Sequence, residues 1–185
     1  VPPQNPPRDL QGLITWARGL GRPLNFGSVG IGSSQHLAAA QFGQITGIEI
    51  VHAPYNQAGQ MNTDLIEGRL DVLFQSISAV SGMVRAGRMR PIAVSGPARV
   101  PAFPELPTMR EQGVDVTTTG WFGLATPAGV PEPILAKLDE ALTATLEDAE
   151  LRARIVAGGA IPEVLRRDAF ARFMAEESTR IGAII

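Results

Sequence analysis

Residues 24–37, Leu-Asn-Phe-Gly-Ser-Val-Gly-Ile-Gly-Ser-Ser-Gln-His-Leu, read as a short strand, a glycine- and serine-rich loop and the first turn of a helix. A chain carrying that junction is bound to a strand–loop–helix unit. The glycines let the backbone turn sharply, and the unpaired N–H groups of the helix's first turn point outward with partial positive charge. Such a loop suits an anion without any lysine or arginine. Phosphate and carboxylate both fit it in principle, so the rest of the chain has to choose between them.

The alternation continues on both sides. Leu10, Leu13, Ile14, Ala17 and Leu20 predict a helix over 9–20, stopped by Gly21 and Pro23. A second helix runs from the glycine loop through Leu37 and Phe42 to Gly47. A β-branched strand follows over 48–52. A helix opening at Asn56 carries Met61, Leu65 and Ile66 on one face and ends at Gly68. Val72–Phe74 is a strand, 76–86 a helix, and Pro91–Ser95 a fourth strand with its proline at the start. Strands and helices alternating through short loops imply an α/β fold, a parallel sheet covered on both faces.

The pattern changes after Ser95, where Pro97, Pro101, Pro104 and Pro107 punctuate a loop leading to a short helix that ends at Gly113. Trp121–Ala125 reads as a strand, and Pro131 stands at the start of a helix. From there the chain is chiefly helical. Ile134, Leu135, Leu138, Leu142 and Leu146 form one apolar stripe; Phe170, Phe173, Met174, Ile181 and Ile184 form another, with a short helix over 149–157 between them. These stripes need a surface to cover, and the segment beyond Leu124 offers little sheet of its own.

Composition closes several doors. The 185 residues suffice for one ordinary domain or two small ones, with 44% hydrophobic content to build a core. Net charge is −2 and the basic residues are scattered, so no nucleic-acid partner is expected. Cysteine is absent, which removes disulfides, thiolate nucleophiles and cysteine metal sites. No apolar run approaches the roughly 20 residues of a membrane-spanning helix. Residues 1–7, Val-Pro-Pro-Gln-Asn-Pro-Pro, read as an extended linker between lobes.

The enzyme readings are weak. After Gly30 and Gly32 the third glycine of a dinucleotide fingerprint is missing, and no glycine-lysine-serine or glycine-lysine-threonine phosphate loop occurs. Ser28 lacks the glycine spacing of a nucleophile elbow. His36 and His52 have no carboxylate at metal-ligand spacing and read as hydrogen-bonded structural groups, so neither metal nor cofactor is expected. Asp64, Glu67 and Asp71 flank the third strand, where carboxylates more often face water than work as an acid–base pair. The glycine loop has its own plain reading, in which Ser33 or Ser34 merely caps a helix. Against it stand two further strand-to-helix junctions, 54–57 and 74–76. In a parallel sheet all three share one carboxyl edge, where open α/β folds bind ligands. Their neutral serine, asparagine, glutamine and tyrosine donors favour a small anionic molecule.

Together, residues 27–37, His52–Tyr55, Glu67–Val72, Ala86–Val94, Pro104–Gly113 and Trp121–Pro131 resemble, in order, the substrate-binding proteins of tripartite tricarboxylate transporters, the Bug or TctC family. Each motif alone is weak; six in sequence are specific. The resemblance implies a two-lobed periplasmic binding protein of type II, not an enzyme. Such a protein closes over an organic acid and delivers it to a membrane permease. It implicates Ser28, Gly30, Gly32, Ser33 and Ser34 in one ligand loop and Tyr55, Asn56 and Gln57 in the next. Gln75 and Ser76 belong to a third, and Tyr55 shapes the cleft more than it touches the acid. Two departures stand out. Asn56–Gln57 replace the family's usual lysine and glycine, and the family's opening portion, with the first lobe's own loop, is not in this sequence. On this resemblance residues 1–119 are a second lobe, and 120–185 are the hinge return strand and C-terminal helices of an incomplete first lobe. Those helices could also pair two copies of the chain. A nucleotide- or phosphate-binding α/β enzyme, and a sensor or interaction module built on the lobe, stay open as alternatives.

Overall fold

The computed structural model describes residues 1–182, and the chain divides into two compact units, Val1–Gly120 and Trp121–Ile185. In the first unit, strands β1 (Leu24–Ser28), β2 (Ile50–Pro54) and β3 (Val72–Leu73) form one parallel sheet in the order β2-β1-β3. The earliest strand is therefore central. Helix α1 (Leu10–Gly19) precedes it, α2 (Ser34–Thr46) and α3 (Ala58–Ile66) make the two crossovers, and α4 (Ile77–Arg85) follows β3. The Asp9 carboxylate caps α1 by accepting the Gly12 N–H at 2.6 Å.

Alternation along β1 divides the core in two. Leu24 and Phe26 face one side with Leu10, Leu13 and Ile14 of α1 and Ala39 and Phe42 of α2. Gly27 turns to the other side, where Met61 and Leu65 of α3 pack with Leu70 and with Val80 of α4. A Cβ on Gly27 would lie 2.8 Å from both Leu70 Cδ1 and Met61 Cγ. Residue 27 is glycine because side chains rest directly on its backbone. Helices thus cover both faces of a parallel sheet, the α/β architecture expected.

Two arginines fasten the unit's edges. The buried Asp71 carboxylate accepts the Asn25 N–H at 2.8 Å and both Arg22 nitrogens at 2.7 and 2.9 Å. Asp71 therefore departs from the expectation of a water-facing carboxylate, because the strand entering beside it needs its backbone donor satisfied. The Arg90 guanidinium donates to the carbonyls of Pro3, Asn5 and Pro7 and so pins the proline-rich segment; the Val1 backbone nitrogen in turn donates to the Arg90 carbonyl.

The expected fourth strand, Pro91–Ser95, is not one. It makes a single parallel bridge, Val94 with Thr108, built from Val94 N–H to the Pro107 carbonyl and Met109 N–H to the Val94 carbonyl. Its would-be partner segment is broken by prolines, which cannot donate to a ladder. The short helix before Gly113 is a single 3-10 turn, Arg110–Gln112.

The second unit holds α5 (Glu132–Glu147), α6 (Ala149–Ala157) and α7 (Arg167–Gly182). Trp121 lies edge-on to Phe170 and Phe173, with ring centroids 5.5 and 5.4 Å apart, and the Phe170 ring covers Gly123. The expected strand Trp121–Ala125 is not formed, since among the described residues this unit offers no strand to pair with it. Ile134, Leu138 and Leu142 leave one face of α5 exposed. Of the second apolar stripe, Ile184 lies outside the described residues. No helix among the described residues is long and apolar enough to cross a membrane.

Candidate functional site

Parallel strands bring the carboxyl ends of β1, β2 and β3 to one edge, and each is followed by the start of a helix. From β1 the chain moves to β2 on one side and then crosses to β3 on the other, which makes the end of β1 a topological switch point, where open α/β sheets leave a crevice. Loop 29–34 occupies it. Gly30 (φ 138°) and Gly32 (φ 80°) take backbone conformations that side chains disfavour. The Ser33 hydroxyl caps α2 by accepting the His36 N–H at 3.2 Å, as the plain reading of the loop expected. The N–H groups of Ser34 and Gln35 in the first turn have no carbonyl of their own helix to bind. Ser34, Gly32 and Ile31 are exposed, so the loop's outer surface is open to water.

Ser28 is different, because it is fully buried. Its hydroxyl donates to the Gly30 carbonyl at 3.0 Å, accepts the Gly30 N–H at 3.1 Å, and lies 2.6 Å from His52 Nε2. With one donor and two acceptor sites, that hydroxyl is saturated when His52 carries its proton on Nε2. His52 stacks on Phe26 at 4.9 Å, and its ring centre is 4.6 Å from that of His36. Burial, and then the neighbouring His36, hold the His52 imidazole below the ordinary histidine range. The two histidines form the floor of the loop. No group of three potential metal ligands occurs among the described residues.

At the β2 edge, the Tyr55 N–H donates to the Ser28 carbonyl at 2.8 Å and extends the ladder past the strand. The Tyr55 hydroxyl points away from the edge and donates to Asp64 at 2.7 Å. Burial and that carboxylate push the phenol up to about 12, while Arg69 and Tyr55 hold the Asp64 carboxyl down to about 2. Asp64 is thereby fixed as a charged structural group, and Glu67 pairs with the same Arg69. Asn56 and Gln57 are exposed, with Gln57 preceding α3 and giving it no side-chain cap.

At the β3 edge, Gln75 and Ser76 precede α4; the exposed Ser76 hydroxyl bonds that of Ser78 at 2.7 Å and does not cap the helix. A residue absent from the expected set joins this loop to the first. Gln35 Oε1 accepts the Val29 N–H at 2.9 Å, and Gln35 Nε2 donates to Gln75 Oε1 at 2.6 Å. Gln75 Oε1 also accepts the Ser76 N–H at 3.0 Å. Gln75 Nε2 is buried and has no acceptor. The structure thus sets the loops of Gly30, Gly32, Ser33, Ser34, Gln75 and Ser76 side by side at the β1 and β3 end of one sheet edge, places Asn56 and Gln57 on the other flank of β1, and turns the Ser28 and Tyr55 side chains inward. Gln35 left no local signal, since its partner lies forty residues away.

Across residues 1–185 the chain matches the family model TctC, described as the tripartite tricarboxylate transporter family receptor. It is 31% identical over 174 residues to a UPF0065 protein from the tcbD-tcbE intergenic region of Pseudomonas sp. strain P51, covering 89% of this chain and 51% of that one. Among solved structures it is similar to the R. palustris protein Rpa4515 with adipate (TM-score 0.93, 31% identity, 98% of this chain and 61% of that one). It is also similar to MatC from Rhodopseudomonas palustris with bound malate (TM-score 0.87, 28% identity, 99% and 64%). The chain spans about half the length of the first curated relatives it matches.

Proposed function

Because this chain belongs to the tripartite tricarboxylate transporter receptor family, TctC, we propose that it is the carboxylate-binding α/β lobe of a periplasmic receptor that captures a small organic acid for a membrane permease. The observation that carries this reading is the meeting of three helix N-termini, those of α2, α3 and α4, along one sheet edge. The loops that present them hold neutral donors and no acidic residue. A charge-assisted hydrogen bond contributes roughly 1.5–3 kcal/mol, so three or four support an affinity on the order of micromolar. The adipate held by Rpa4515 and the malate held by MatC support a dicarboxylate as the ligand class.

In this reading the backbone of Gly30, Gly32, Ser33 and Ser34 grips one carboxylate. Asn56 and Gln57 flank it on one side, Gln75 and Ser76 on the other. Ser28 and Tyr55 shape the loops from beneath. Residues 1–119 act as a second lobe, and 120–185 belong to the first. The protein binds and releases its ligand unchanged.

Thermal-shift and calorimetric titration with succinate, malate, glutarate and adipate, set against ATP, NAD and phosphate, test the reading. Dicarboxylates are expected to raise the melting temperature and the nucleotides to leave it unchanged. A shift with nucleotides alone would replace the receptor by a nucleotide-binding enzyme, and no shift with any acid would leave an interaction module.

The bare face of α5, with Ile134, Leu138 and Leu142, supports a second reading, in which two copies pair through their C-terminal helices. Sedimentation velocity of a concentrated sample is expected to show a dimer. A monomer throughout would exclude this pairing.

A further inference from the structure

Gln75 carries a buried donor with nothing to donate to, and its orientation is fixed by groups that cannot turn over. The Val29 backbone N–H needs an acceptor, which sets Gln35 with its Oε1 toward Val29 and its Nε2 toward Gln75. The Ser76 backbone N–H needs one as well, which sets Gln75 Oε1 toward Ser76 and Gln35 together. Flipping either amide would face a donor with a donor. The Gln75 amino group is therefore held without an acceptor by two backbone donors, one at the end of β1 and one at the start of α4. Buried polar groups are almost always paired, and one left open in the loop that leads from β3 into α4 is an unfilled requirement.

We propose that the Gln75 Nε2 hydrogens bind an acceptor oxygen of the ligand, making Gln75 a specificity-determining residue and Gln35 the positioning residue that aims it. The inference rests on the carboxylate-binding reading. Neighbouring strands are about 4.8 Å apart, so an acid held at the β1 loop must extend roughly that far to reach the β3 loop. A dicarboxylate of four to six carbons spans that gap with an oxygen at each end, whereas a monocarboxylate of equal length presents a methyl group to the donor. The site would then distinguish acids by their far end.

The test is the ratio of affinities for succinate, glutarate and adipate over butyrate, pentanoate and hexanoate, measured by calorimetry on the whole chain. Gln75→Glu is nearly isosteric and keeps the oxygen that serves Ser76 and Gln35, but replaces the amino group by a second oxygen. The ratio is expected to fall at least tenfold at pH 8. It should recover relative to the native protein toward pH 5, as the introduced carboxyl gains a proton and becomes a donor again. Gln75→Met is expected to lower the ratio about tenfold with no recovery at low pH, and Gln35→Met to lower it in the same direction.

An unchanged ratio in both Gln75 variants, or equal losses for both acid classes, would overturn the proposal while leaving carboxylate binding intact. Failure of the native protein to bind any of the acids would instead remove the reading beneath it. If Gln75→Met does not fold, the pH recovery of Gln75→Glu still decides the matter.

Discussion

The Ser28 hydroxyl and the His52 imidazole lie 2.6 Å apart beneath the glycine loop, and between them they tie the ends of β1 and β2 to the backbone of Gly30. Ser28→Ala removes the acceptor for both the Gly30 N–H and His52 Nε2. The expected cost is about 1–3 kcal/mol of unfolding free energy, because buried donors are left unpaired. Carboxylate affinity is expected to drop as well, since the loop loses its anchor. Urea denaturation checks the first and calorimetry the second; a loss under about 0.5 kcal/mol would show that the pair holds nothing in place.

Because His52 is held below the ordinary histidine range by burial and by His36, the unfolded chain takes up a proton there at a higher pH than the folded one. The His52 contribution to stability is therefore complete above about pH 6.5 and is lost as pH falls below it toward the folded value. Asp64 acts only at lower pH. Melting temperatures of the native chain and His52→Gln between pH 5 and 7.5 separate the contributions: the gap between the two curves is expected to change with pH. Parallel curves would contradict this.

Gly27→Ala places a methyl group against Leu70 and Met61 at separations that real Cβ atoms do not adopt. The expected destabilisation is about 1–3 kcal/mol, from forced displacement of α3. Adding Met61→Ala should relieve part of it, so the double variant is expected to be more stable than the sum of its single changes. Strict additivity would mean that the methyl finds room elsewhere.

Arg90→Lys keeps the charge but cannot reproduce a planar fork reaching the carbonyls of Pro3, Asn5 and Pro7. Residues 1–7 should then detach while the sheet persists. Limited proteolysis, with mass spectrometry of the fragments, is expected to show earlier cleavage before Asp9 in the variant. Equal cleavage rates would show that the segment is held by its other contacts.

Much of the first unit was legible because local rules agreed with tertiary demand. The helical spacing from Leu10 to Leu20, Gly47 after the last turn of α2 and the β-branched run into β2 each say the same thing at short range as the sheet says at long range. The fourth strand misled because β propensity in Ile92 and Val94 does not supply a partner, and the prolines on the opposing segment deny one. In the crevice the glycines and the Ser33 cap could be read from spacing. The inward turn of Ser28 could not, since it depends on His52 from another strand. The Gln35–Gln75 bridge was invisible for the same reason: two common polar residues acquire meaning only when folding sets their loops side by side.

Placing β1 between β2 and β3 divides labour along the sheet edge. In the proposed site the middle turn supplies a grip made of main chain, which mutation cannot easily alter. Its neighbours on either flank contribute side chains that can be exchanged one at a time. On that reading, ligand preference can shift through substitutions on the flanks while the central loop and the packing beneath it stay as they are.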